Sequence, residues 1–132
     1  MDRMLDQPVC GPVFLRQPEI ARIIVDALHA GQDRFRRYEL HAFVVMSNHV
    51  HVLFEPLAQV AGITRALKGF TARRANEVLH RIGQPFWQDE SFDHWIRNAR
   101  EFERIVHYIE NNPVKAGLAS RASLWPWSSA TK

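Results

Sequence analysis

Apolar residues recur along this chain in two rhythms. Ile20, Ile23, Ile24, Ala27 and Leu28 fall at helical spacing, with Pro18 suited to a first helical turn and Gly31 placed to stop the run. Tyr38 to Met46 is apolar on both sides in its later half, which predicts a central strand. Ser47-Asn48 supplies turn chemistry, and His49 to Glu55 returns as the second arm of an antiparallel hairpin that Pro56 closes. Helical spacing resumes from Val60 to Arg81. There Ile63, Leu67, Phe70, Val78 and Leu79 form the expected buried stripe, weakened by about 1 kcal/mol at Gly69. Gly83 to Gln88 reads as a turn, and Ser91 to Arg97 alternates Phe92, His94 and Ile96 against Asp93 and Trp95, as a strand does. A last helix is expected to start at an Asn98 cap with Glu101 in capping-box position, to bury Phe102, Ile105, Val106 and Ile109, and to end at Pro113. Val9 to Leu15, broken by Gly11-Pro12, reads as a loop or a poor edge strand, and Leu124 to Ser129 as an irregular segment pinned by its tryptophans.

This element order predicts an α+β fold, helices layered on an antiparallel sheet. A length of 132 residues fits one domain over 1–132, with 1–16 as a poorly defined N-terminal segment. No apolar run approaches membrane-spanning length, and Met1 to Gln7 carries acids rather than an apolar signal core, so the expectation is a soluble cytoplasmic protein with no membrane partner. Cys10 is the single cysteine. That excludes a disulfide framework and a thiolate metal knuckle, so any metal must be held by histidine, carboxylate, amide and water. The net charge of +3 and a pI near 9.5 are modest. Position adds more: basic residues gather over 65–74 and again at Arg97-Asn98-Ala99-Arg100.

His49 and His51 are the chemically sharpest pair. Alternation puts both imidazoles on one face of a strand with Leu53, while Val50, Val52 and Phe54 point the other way. Imidazoles at i and i+2 lie close enough to share a metal ion, although two half-buried histidines bonded to nearby backbone show the same pattern. Tyr108 and Asn112 are four apart on the last helix, so a phenol and an amide lie side by side as long as that helix persists. Along Val60 to Arg81 the basic residues Arg65, Lys68, Arg73 and Arg74 face away from the stripe, where a solvated surface is the ordinary explanation.

Several ordered stretches resemble one family. They are Val44-Val45-Met46-Ser47-Asn48-His49-Val50-His51-Val52-Leu53, Gly83-Gln84-Pro85-Phe86-Trp87-Gln88, and Ser91-Phe92-Asp93 with Ile96-Arg97. Tyr108-Ile109-Glu110-Asn111-Asn112-Pro113-Val114-Lys115-Ala116-Gly117-Leu118 and Trp125-Pro126-Trp127-Ser128-Ser129-Ala130 complete the set. Together they resemble the single-tyrosine HUH transposases, most closely the REP-associated tyrosine transposase branch, from about Arg37 onward.

The resemblance implies a ferredoxin-like fold and a metal-dependent endonuclease and strand transferase acting on single-stranded DNA at or near a hairpin. It implies His49, His51 and Asn112 as ligands of one divalent ion, Mg²⁺ or Mn²⁺, and Tyr108 as the nucleophile that becomes joined to a 5′ phosphate. A phenol with a pKa near 10 needs a nearby cation to react at neutral pH, and two imidazoles plus an amide leave coordination positions open for phosphate and water. Within the same resemblance Arg65, Lys68, Arg73, Arg74, Trp87, Arg97 and Lys115 are the DNA-contacting residues, by charge and by stacking. The protein is then a monomer or homodimer, associated with the nucleoid through its DNA. The family's N-terminal strand has no counterpart here, which leaves an unpaired sheet edge. Two other readings stand beside this one: a non-catalytic nucleic-acid-binding remnant of a transposase, and a small zinc hydrolase built on His49 and His51 with Glu55 or Asp93 as further ligands.

Overall fold

The computed structural model describes residues 14–88 and 91–131. Its elements are a 3-10 turn at Phe14–Arg16, α1 (Pro18–Asp33), β1 (Tyr38–Val45), β2 (Val50–Pro56), α2 (Val60–Leu79), β3 (Phe92–Ile96), α3 (Phe102–Glu110), a short α4 (Asn112–Lys115) and a second 3-10 turn at Ala122–Leu124. The fold is α+β, three strands with helices packed on both faces. Of the Val9–Leu15 stretch, the part before Phe14 lies outside the described residues.

β1 and β2 pair antiparallel around Ser47-Asn48, with Val45 opposite Val50 and the Met46 amide donating to the His49 carbonyl at 2.8 Å. β3 departs from the antiparallel expectation. It lies beside β2 and runs parallel to it, Val50 to Phe54 facing Phe92 to Ile96 in register, so the sheet is mixed in the order β1-β2-β3. The physical reason is the connection: β2 reaches β3 through the whole of α2, and a crossover of that length returns a strand in the same direction.

Strand alternation then sorts the core. Phe43, Val45, Val50, Val52 and Phe54 pack with Ile20, Ile24 and Leu28 of α1 and Ile63 and Leu67 of α2. Ala42, Val44, Met46 and Leu53 pack on the other face against Ile105 and Ile109 of α3. In β1 the period slips once. Tyr38 and Leu40 share a side with Phe43 and Val45, which strict alternation forbids, and the pairing register shifts between Leu40 and Ala42 with His41 as the extra residue.

Several helix ends and the buried face of α2 differ from the sequence reading. α1 runs through Gly31 to Asp33; Gly31 is buried under the Tyr38 phenol, so its lack of a side chain serves packing rather than a stop. In α2 the buried positions are Ile63, Leu67, Thr71, Ala75 and Asn76, which leaves Phe70 and Val78 exposed. Asn98 caps a turn, its Oδ1 accepting from the Arg100 amide at 2.9 Å, and α3 begins only at Phe102. α3 ends before Asn111, and Pro113 sits in the first turn of α4.

The C-terminal segment is more regular than expected. Val44 and Ser128 form an antiparallel bridge, the Val45 amide donates to the Trp127 carbonyl at 2.8 Å, and the Trp125 indole donates to the Val45 carbonyl at 3.0 Å. The tail therefore covers the outer edge of β1 at Phe43 to Val45.

Candidate nucleophile and metal site

The strand positions dictate what meets at the site. His51 points to the α3 face with Leu53 and is fully buried; His49, one residue ahead of β2, places its ring 4.9 Å from that of His51 at 75°. Parallel pairing sets Asp93 opposite His51, and the Asp93 carboxylate lies 4.0 Å from His51 Nδ1. Trp95, two residues along β3, brings its ring to 5.5 Å from His51. From α3, Tyr108 completes the cluster with ring centroids 6.5 Å from His51 and 6.0 Å from Trp95. Two imidazoles and a phenol distant in sequence thus converge because a strand and a helix pack face to face.

The donor chemistry fits a cation. Asn48 Oδ1 lies 2.9 Å from His49 Nδ1, and an amide oxygen only accepts, so that nitrogen carries the proton and the lone pair is left on Nε2. His49 Nε2 and both ring nitrogens of His51 are buried without a hydrogen-bond partner among the described residues. Buried, unbonded nitrogens are costly unless something else fills the gap, and a metal ion does so. Burial lowers the His49 imidazole to about 4, and burial together with the neighbouring His49 lowers His51 to about 3. Both rings are therefore neutral at physiological pH, the form that ligates.

Asn112 is buried at the first position of α4, its Nδ2 without a partner among the described residues. The continuous helical face that would align it with Tyr108 is interrupted at Asn111, whose φ and ψ are −89° and 0°.

The basic residues occupy other places. Arg65, Lys68, Arg73 and Arg74 lie on α2, across the sheet from α3 and Tyr108, and Arg74 Nε is 3.5 Å from Glu77 Oε1. Trp87 is half-buried, its indole donating to Thr71 Oγ1 at 3.0 Å and its ring against Phe86 and Phe92. Arg97 follows β3, with Nη1 at 3.5 Å from Glu55 Oε1 and its guanidinium over Phe102. Lys115 is exposed at the end of α4.

Sequence reasoning passed over Trp95 and Asn48 as site residues and named Asp93 only for a zinc site. The adjacency of Asn48 to His49 was the available signal; Trp95 and Asp93 needed the strand pairing. Glu55 lies away from His51. Its carboxylate groups instead with Glu39 and His41, ligand atoms within 4.8 Å of one another, at the open end of the hairpin.

The family model described as "Transposase IS200 like" matches residues 19–112, a span that contains both histidines, Tyr108 and Asn112. The chain belongs to the IS200-like transposase family. The REP-associated tyrosine transposase of Escherichia coli (strain K12) is 30% identical over 99 residues, covering 72% of this chain and 56% of that protein. An uncharacterized protein of Haemophilus influenzae is 28% identical over 107 residues, 61% of this chain and 57% of its own. The chain thus spans a little over half the length of these curated relatives. No solved structure gives a significant match. Among the described residues, no helix of this transposase-family chain is long and apolar enough to cross a membrane.

Proposed function

We propose that this chain cuts and rejoins single-stranded DNA at or near a hairpin through a covalent link to Tyr108. The observation that carries the reading is the convergence of the His49, His51 and Tyr108 rings within one chain, 4.9 and 6.5 Å apart. It also supports attack by the tyrosine of the same subunit that holds the metal.

His49 Nε2 and a ring nitrogen of His51 would hold a divalent cation, Mg²⁺ or Mn²⁺, with the Asn112 amide turned to offer its oxygen; when bound, the ion supplies positive charge beside the phosphoryl oxygens and the developing phenolate. The chain's own groups do the rest. Tyr108 Oη attacks phosphorus, the new P–Oη bond forms as the P–O3′ bond breaks, and the phenolic proton is balanced by the one that the leaving 3′ oxygen gains. Trp95, beside both the Tyr108 and His51 rings, restricts where the phenol can swing and keeps water off that side. The Asp93 carboxylate, 4.0 Å from His51 Nδ1, adds negative charge beside the imidazole that favours a cation there. Rejoining reverses the step, because the phosphotyrosine ester conserves the energy of the phosphodiester. Arg65, Lys68, Arg73, Arg74, Arg97 and Lys115 contribute phosphate contacts, and Trp87 a stacking surface.

The test is covalent capture. Incubated with a single-stranded oligonucleotide carrying a hairpin and with Mn²⁺, the chain is expected to give an SDS-resistant protein–DNA adduct that chelation suppresses and Tyr108→Phe abolishes. An adduct of equal yield in Tyr108→Phe overturns the assignment of the nucleophile. Binding without an adduct in any divalent ion favours the non-catalytic remnant instead.

A further inference from the structure

At the open end of the hairpin, away from the turn that carries His49, strand pairing sets Glu39 directly across from Glu55. Two carboxylates facing each other across an antiparallel pair repel. Just beyond them β1 shifts register at His41, and the extra residue brings an imidazole to the same place. A ligand atom from each of Glu39, His41 and Glu55 lies within 4.8 Å of the other two. Arg97 answers part of the charge, its Nη1 3.5 Å from Glu55 Oε1. Among the described residues Glu39 has no ion pair, so one guanidinium stands against two carboxylates.

Exposed acidic pairs are common on protein surfaces, and it is the histidine that sets this one apart. Its ring stands edge-on to Phe102, centroids 5.2 Å apart at 86°, which fixes the direction of its nitrogens. Nε2 is buried and has no hydrogen-bond partner among the described residues. Such a nitrogen is costly unless something fills the place of the missing partner. Glu55 Oε1 lies 3.9 Å from it, too far for a hydrogen bond. An ion with bonds of about 2.1 Å holds two tetrahedral ligand atoms about 3.4 Å apart, so a shift of about half an ångström would let one ion bridge this nitrogen and oxygen. Glu39 is exposed, which leaves its carboxylate free to swing into the third position.

We propose that Glu39, His41 and Glu55 form a second metal site, which takes a zinc-class divalent ion with water in the fourth position. An imidazole in the set favours Zn²⁺ over Mg²⁺ or Ca²⁺, which prefer oxygen throughout. The two carboxylates balance the charge of the ion, and their mutual repulsion becomes attraction to it. The ion ties β1 to β2 where the bulge interrupts their ladder. Glu55 follows His51 by four residues on the same face of β2, which separates the two sites by roughly 13 Å along the strand. The site therefore stands whether or not Tyr108 becomes joined to DNA.

Calorimetric titration of full-length protein with Zn²⁺ alone tests it. A His49→Gln/His51→Gln background removes the other imidazole pair and is expected to bind one Zn²⁺ per chain. Adding either Glu39→Gln or His41→Ala is expected to weaken that binding at least tenfold, since even the neighbours of metal ligands commonly cost about that much when lost. Each should also abolish the rise in melting temperature that Zn²⁺ gives the background protein. Folding of every variant is followed by circular dichroism. Binding that is lost in only one of the two variants overturns the three-ligand site, because a loose carboxylate pair needs no imidazole. Unchanged binding in both, or no Zn²⁺ bound by the folded background protein, overturns it as well. If the background protein does not fold, the same two substitutions are made singly in the unaltered chain. Each is then expected to lower the number of bound ions by one, and an unchanged number overturns the site.

Discussion

His51 is fully buried, and neither of its ring nitrogens has a hydrogen-bond partner among the described residues, so its protonation is tied directly to folding. In the unfolded chain a histidine takes up a proton near 6.5. In the folded chain His51 resists until about 3 and His49 until about 4, in both cases chiefly because of burial. Between those limits the unfolded state binds more protons, so stability falls as pH falls from about 6.5 towards 4. His51 alone accounts for on the order of 3 kcal/mol by pH 4. Urea titrations of metal-free protein are expected to show that slope, and His49→Gln/His51→Gln to flatten it whatever that variant does to stability at pH 7. An equal slope in the variant would place the acid sensitivity elsewhere. This pair was legible in the sequence because period-2 alternation is a local property. The contacts of His51 with Trp95 and Asp93 were not, since they depend on which strand lies beside β2 and in which direction, and neither leaves a mark on either segment.

At the scale of the element, α1 and β1 are locked by Gly31 under Tyr38. The phenol donates to the Leu28 carbonyl at 2.6 Å, and a Cβ built on Gly31 would overlap the phenol ring and oxygen. Gly31→Ala should therefore destabilise by about 1–3 kcal/mol, as overpacking of a tight core does. Tyr38→Phe costs about 1 kcal/mol for the lost hydrogen bond, and the double variant should lose less than the sum because the oxygen is the nearest part of the obstruction. Additive losses in thermal or urea unfolding would show that Gly31 matters for another reason. The existence of each main helix and strand followed from periodicity, and errors arose where long-range contacts decide. A glycine that looks like a helix stop is a packing device, His41 slips the strand period by one, and Phe70 turns outward beside four arginines although its spacing fits the buried stripe.

Across the whole molecule, the tail ties down the outer edge of β1 at Phe43 to Val45. Ser129 Oγ accepts from the Phe43 amide at 2.9 Å and donates to Glu110 Oε2 at 2.6 Å, tying the tail to β1 and to α3 at once. Trp125 and Trp127 add bonds to both backbone groups of Val45, which pairs with Val50 in the strand that carries His51. The stretch from Trp125 to Ala130 was visible as a motif, but its partner strand was not, because an edge contact leaves no periodic trace. Ending the chain after Leu124 removes these bonds and bares the β1 edge. With each of these four bonds contributing about 1 kcal/mol, the loss is about 4 kcal/mol, or roughly 15 °C in Tm for a chain of this size. The bared strand is expected to drive self-association as well, visible as rising mass in light scattering with concentration. Ser129→Ala should lower Tm by a smaller step without association, since the main-chain bonds to Val45 remain. A truncated chain with unchanged Tm and mass would mean that β1 does not depend on the tail. If the expected losses are seen, adduct formation at Tyr108 should fall with them, because both α3 and the hairpin that positions His51 are anchored through Ser129 and Val45.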